Sequence, residues 1–163
     1  MRCRDPFNWR DKPSIVGRTI PVLKVDHSIA YRYIVCGDRL WARDVHWNGN
    51  ARRSEYCTMD AKTCPRCKDE MPKREVTFLH VTLLNFPSSD GFLELTPEGA
   101  NNFFNALEEG EPMRGLQILV QRARKTLKSP ILVEVVNRVE DTEPFPQSAD
   151  PTPTLMRLWR VGN

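Results

Sequence analysis

The chain has 163 residues, of which 40% are hydrophobic and 28% charged, with a net charge of +3. These proportions suit one globular domain with a buried core and exclude a disordered or fibrous chain. No apolar run approaches the roughly 20 residues a membrane helix needs, and no apolar segment follows the start Met1-Arg2-Cys3-Arg4, so the sequence predicts a cytoplasmic protein without signal peptide or membrane span.

The five cysteines are an odd number. A metal site in a reducing compartment accounts for them better than a disulfide framework. The mild basicity permits a nucleic-acid partner without requiring one.

Residues 1–13 carry charge, two prolines, Phe7 and Trp9, and read as an N-terminal arm. Residues 14–25 are apolar and β-branched, a first strand. Residues 28–35 alternate loosely around Tyr31 and Tyr33, a second. After the Gly37-Asp38 turn, residues 39–47 form a third strand with Trp41, Val45 and Trp47 on one side. Asn48-Gly49-Asn50 is a turn signal.

Residues 50–73 are polar and lack a periodic apolar face. A stretch this long inside a compact domain needs another source of order. Residues 75–86 are strongly β-prone, Pro87 to Gly91 reads as a hairpin turn, and 91–95 returns as a short strand. Thr96 is a helix N-cap signal with Pro97 at the first helical position, and Ala100, Phe103, Phe104 and Leu107 form the helix's apolar face, ended by Gly110. Residues 116–123 and 131–139 are strands joined by a turn at 125–130. Residues 140–154, rich in acids and prolines, read as a linker, and 155–161, from Leu155 to Val161, as an apolar-basic terminal segment.

The expected fold is therefore mainly β. It is a small antiparallel barrel over residues 14–139, like the five-stranded oligonucleotide-binding (OB) barrel, with one short helix and a zinc-binding loop inserted at 46–73. A β-sandwich is the alternative.

Cys64-Pro65-Arg66-Cys67 is a C-x-x-C pair, and Cys57 lies seven residues before it. Two thiolates at that spacing grip one tetrahedral ion from a tight knuckle. His46 completes His-x10-Cys-x6-Cys-x2-Cys, a Cys3His set that suits a closed structural zinc site. Cys36 is the runner-up for the fourth ligand and Cys3 a third choice. A redox pair would normally open a helix after a strand, which Pro65 and its polar surroundings fit poorly. Incidental free thiols are the bland alternative. A catalytic zinc would need an open position and a nearby acid or base. Asn48 occupies the position two after His46 where a deaminase carries its glutamate, and His27 and His80 stand isolated. The chain is expected not to be an enzyme.

Arg114, Arg122, Arg124, Lys125 and Lys128 form an acid-free basic run, and Arg52, Arg53, Lys62, Arg66, Lys68, Lys73 and Arg74 surround the cysteines. Trp47 and Tyr56 are interleaved with them. A basic groove with stacking aromatics binds single strands without strong sequence readout. The candidate contacts are Trp47, Arg52, Arg53, Tyr56, Arg66, Arg74, Arg122, Arg124, Lys125 and Lys128. The bland reading is that these cations are a solvated surface and the aromatics core.

The arrangement His46, Cys57, Cys64, Cys67 among β-strands resembles the zinc-containing single-stranded DNA-binding proteins of tailed phages. That resemblance covers about 22 residues directly. It implies an OB-fold carrying a His-Cys-Cys-Cys zinc subdomain, one structural zinc ion, and single-stranded DNA, favoured over RNA, as partner in replication, repair or recombination. The gaps around Cys57 are shorter than the family's, and its acidic C-terminal tail is absent in that form. The competing expectation is a zinc-stabilised adaptor whose loop and segment 155–161 dock other proteins.

Overall fold

A computed structural model describes residues 2–3, 20–57, 64–125, 129–139 and 145–158. Apart from residues 2–3, the expected arm 1–13 lies outside them, as do Lys62, Lys128 and residues 159–161.

Among the described residues nine strands form one mixed sheet: β1 Arg2–Cys3, β2 Val22–Leu23, β3 Tyr31–Val35, β4 Leu40–Asn48, β5 Arg53–Tyr56, β6 Lys73–Leu83, β7 Phe86–Leu95, β8 Leu116–Arg122 and β9 Ile131–Arg138. Three helices accompany it: α1 Pro65–Lys68, α2 Pro97–Ala106 and α3 Thr152–Leu158.

The long strand β6 organises the sheet. Its first half pairs antiparallel with β4, from Lys73 opposite His46 to Phe78 opposite Trp41. Its second half pairs on the same edge with β3, from Val81 opposite Val35 to Leu83 opposite Tyr33. Strand β7 takes the other edge. Successive side chains alternate between sheet faces. Leu79 and Val81 enter one core with Leu93, Leu95, Phe103, Ile118 and Val133. Val76 and Phe78 enter a second with Trp41, Val45, Phe92 and Leu155. Burial on both faces explains why this stretch reads as an almost unbroken apolar run rather than an alternation.

Helix α2 starts as its sequence dictates. The Thr96 hydroxyl accepts from the Gly99 amide at 3.2 Å, and Pro97 occupies the first turn. The same hydroxyl accepts from the Ile131 amide at 3.1 Å, and Asn102 Oδ1 accepts from the Val133 amide at 3.1 Å. These bonds cover part of the outer edge of β9, where unpaired amides would otherwise face solvent.

The fold is mainly β, as expected, but several expectations are corrected. The sheet stays open instead of closing into an antiparallel barrel, and two of its pairings, β1 with β4 and β2 with β7, are parallel. The hairpin turn falls at Leu84 and Asn85, not at Pro87 to Gly91, which lie within β7. Asp90 faces inward there and is held at 2.8 Å by His80, both 1% exposed, so this polar stretch is fixed as strand. Phe104 leaves the apolar stripe of α2 and is 44% exposed, whereas Phe103 and Ala100 are buried.

The expected linker 140–154 is, from residue 145 on, a strap. Arg114 donates to the carbonyls of Cys36 at 2.7 Å and Pro146 at 2.6 Å, and its guanidinium lies 4.2 Å from the Phe145 ring centre. Ser148 bonds Asp38, Asp150 caps the Thr152 amide at 2.8 Å, and Thr154 Oγ1 donates to the Ile20 carbonyl at 2.6 Å. Helix α3 then buries Leu155 completely in the second core.

Candidate metal centre

His46 sits near the end of β4 with neighbours on both sides, Glu55 on β5 and Lys73 on β6. Its side chain is 1% exposed. Nδ1 lies 3.0 Å from the Met71 carbonyl oxygen, which can only accept, so in this bond Nδ1 carries the hydrogen and donates. That bond fixes the tautomer and leaves the Nε2 lone pair free to point the other way, as in metal-ligating histidines whose second nitrogen is anchored. Nε2 lies 3.4 Å from Cys67 Sγ and 3.7 Å from Cys64 Sγ.

Cys57 follows β5, and its amide donates to the Asp44 carbonyl at 3.0 Å. Its sulfur lies 3.7 Å from Cys67 Sγ, well beyond the roughly 2.05 Å of a disulfide. Cys64 stands at the N-cap of the single turn of α1 and Cys67 lies within it, with Pro65 at the first position. The Lys68 and Asp69 amides close that turn on the Cys64 and Pro65 carbonyls at 3.1 and 3.0 Å. Glu70 takes a positive φ of 52°, and the returning chain brings the Met71 carbonyl to His46.

The four ligand atoms of His46, Cys57, Cys64 and Cys67 lie within 4.8 Å of one another, an arrangement that fits one metal ion. Three of the four residues are buried and Cys67 is partly exposed. Of the two competing ligands, Cys36 stands apart from the cluster: it is fully buried, its Sγ lies 3.7 Å from the Ile34 carbonyl, and burial pushes its thiol up to about 12. The side chain of Cys3 lies outside the described residues.

Sequence reasoning passed over Glu55. It is 8% exposed and bonds Arg66 on α1 through Oε2 while accepting from Asn48 Nδ2 at 3.1 Å through Oε1. One carboxylate therefore ties the cysteine turn to both strands of the β4–β5 hairpin. The only sequence signal for it was the opposite charge of Glu55 and Arg66 around the cysteines.

The other candidate residues divide. Trp47 is 46% exposed and lies opposite Ser54 on the face of the hairpin away from His46. Arg74, opposite Val45, shares that face; its side chain is 51% exposed and reaches Ser54 Oγ at 3.2 Å and Glu94 at 3.6 Å. Arg52 is exposed at the hairpin turn with φ 50°. The side chains of Arg53 and Tyr56 lie outside the described residues.

Arg66 is engaged with Glu55 and serves the knuckle. Arg122 donates to the Val25 carbonyl at 2.9 Å and the Ser129 carbonyl at 3.1 Å, so it braces a turn. Arg124 and Lys125 are exposed beyond it. Val120 lies opposite Tyr31, past the Tyr33–Leu83 pair, which sets these cations at the far end of β6 from Lys73 and His46. The 11 residues of β6 span roughly 33 Å at about 3.3 Å each, so the two basic groups occupy opposite ends of the sheet.

Among the described residues no helix is long and apolar enough to cross a membrane. Comparison of the chain with family models, curated proteins and solved structures gives no match.

Proposed function

We propose that the chain binds single-stranded nucleic acid, DNA in preference to RNA, on the face of the β4–β5 hairpin that carries Trp47, without catalysing a reaction. A structural zinc ion on the opposite face holds that hairpin in place. The observation that carries the reading is Trp47 itself: a large aromatic, 46% exposed, on a hairpin fixed from behind by the His46 cluster. An exposed indole on a rigid strand offers a platform on which any base can stack. Arg74 and Arg52 supply cations beside it, and Arg124 and Lys125 attract phosphates at the other end of the sheet. The preference for DNA rests on the resemblance to phage single-stranded DNA-binding proteins.

The donor set favours zinc. Thiolates and one imidazole are soft-to-borderline ligands, and four of them close the coordination sphere. Zinc–sulfur bonds of about 2.3 Å and zinc–nitrogen bonds of about 2.0–2.1 Å at tetrahedral angles put sulfurs about 3.8 Å apart and nitrogen about 3.6 Å from sulfur. The separations of 3.7 Å between the Cys57 and Cys67 sulfurs and of 3.4 and 3.7 Å from the His46 nitrogen to the Cys67 and Cys64 sulfurs lie close to those values, and all four ligand atoms lie within 4.8 Å of one another. His46, Cys57, Cys64 and Cys67 would hold the ion, which supplies folding free energy to a polar segment that buries little apolar surface.

Binding of labelled oligo(dT), a matched duplex and an RNA homopolymer at low and moderate salt tests the reading. Salt-sensitive binding to the single strand, lost when zinc is stripped, is the expected result. Absence of binding at low salt contradicts it and favours protein docking. Leu155 is committed to the chain's own core, so such docking would fall to the hairpin and to Leu158, which is 56% exposed.

A further inference from the structure

The four members of the metal cluster are not equally accessible. His46 is 1% exposed, Cys57 1% and Cys64 0%, whereas Cys67 is partly exposed. Of the four residues, Cys67 is therefore the one a small oxidant arriving from solvent reaches most readily. Cys57 Sγ stands 3.7 Å from it, inside the fold and on a different chain segment. Contact between those two sulfurs requires an approach of roughly 1.7 Å to reach a disulfide length of about 2.05 Å.

We infer that this centre is a peroxide-responsive switch in which Cys67 is the reacting sulfur and Cys57 the resolving one. The inference rests on the zinc reading. The Cys67 thiolate attacks one oxygen of hydrogen peroxide, the O–O bond breaks, and hydroxide leaves. The resulting sulfenic acid carries its S–OH toward Cys57. The Cys57 thiolate attacks the Cys67 sulfur, the S–O bond breaks, and a second hydroxide departs as the S–S bond forms. Two thiolates have lost two electrons and the peroxide has gained them. A bound ion would then keep only His46 and Cys64 of these four residues, too few to retain it.

The consequence is local. The 57–67 link still joins the end of β5 to α1, while His46 is released from the ion that fixed β4 against the knuckle. Glu55 and Arg66 remain as the polar tie between the same elements. Reduction and fresh zinc restore the closed site, which makes the change reversible.

The test uses the reduced, zinc-loaded full chain. Limiting hydrogen peroxide is added, and zinc release is followed with a chromophoric chelator, thiol loss with a disulfide reagent, and linkage by peptide mass mapping. The expected result is one zinc released for every two thiols lost, a Cys57–Cys67 peptide, recovery with dithiothreitol plus zinc, and the same behaviour in Cys36→Ser. A Cys64–Cys67 link, or thiol oxidation with zinc retained, overturns this inference alone. A reduced chain that takes up no zinc overturns the zinc reading and this inference together.

Discussion

Replacing Trp47 with alanine separates binding from stability. The indole is 46% exposed and sits opposite Ser54, so its removal opens no cavity in either core. The cost to folding should stay within the roughly 1 kcal/mol range of strand preference. If a base stacks there, the loss of binding is about 1–3 kcal/mol, which is about 5- to 150-fold in Kd. Trp47→Phe, which keeps a ring, should recover most of it. Arg74→Ala should act differently, lowering the salt slope of log K by about 0.7 for one lost phosphate contact. Fluorescence anisotropy of labelled oligo(dT) at several salt concentrations gives both quantities, and urea unfolding of the same proteins gives stability. Trp47→Ala binding as tightly as the parent, or weakening only as far as it unfolds, would refute the stacking role.

Other outcomes test the fold. Gly99→Ala should destabilise by about 1–3 kcal/mol, against a helix-propensity gain of about 1 kcal/mol, because an added Cβ would stand 2.3 Å from the Ile131 carbonyl oxygen; a raised Tm would contradict the close approach of α2 to β9. Leu155→Ala should cost about 2–5 kcal/mol in urea unfolding, since Leu155 is 0% exposed; an unchanged midpoint would mean that α3 is not part of the core. Burial raises the Cys36 thiol from 9.0 to about 12, so the folded state holds that proton more tightly than the unfolded chain. The stability this gives is complete below pH 9.0 and is lost as pH rises toward about 12. Cys36→Ala should flatten that alkaline loss, and identical alkaline unfolding of both proteins would show otherwise.

What the sequence disclosed follows from where local rules act alone. The N-cap of α2 was legible because Thr96 and Pro97 satisfy helix-end chemistry within four residues. The cluster of His46, Cys57, Cys64 and Cys67 was legible because thiolate spacing is a local constraint; spacing and the family likeness favoured His46 over Cys36, and the fold places Cys36 apart from the cluster. Strand β5 was hidden because Arg53, Ser54 and Glu55 carry no apolar alternation; it pairs with β4 beside the His46, Cys57, Cys64 and Cys67 cluster. Helix α3 was hidden because, among its described side chains, Leu155 is the apolar one that enters a core, while the other buried one, Thr152, is polar. The basic residues looked like one groove because sequence gives charge but not the length of β6 between them.

The same limit explains the misplaced turn. Pro87 to Gly91 has turn composition, but the His80–Asp90 pair and the approach of Leu23 make a strand of it. A Cβ on Gly91 would lie 2.4 Å from Leu23 Cγ, so glycine here serves close packing and not a bend.

Metal analysis of the purified full chain tests the account at its centre. Elemental analysis of the reduced protein, with the visible spectrum of its cobalt-substituted form, reports stoichiometry, ligand type and geometry together. The prediction is one zinc per chain and a tetrahedral cobalt spectrum with sulfur charge-transfer bands that weaken when Cys57, Cys64 or Cys67 is replaced by serine. Zinc absent at full reduction, or a cobalt spectrum without sulfur bands, would contradict it.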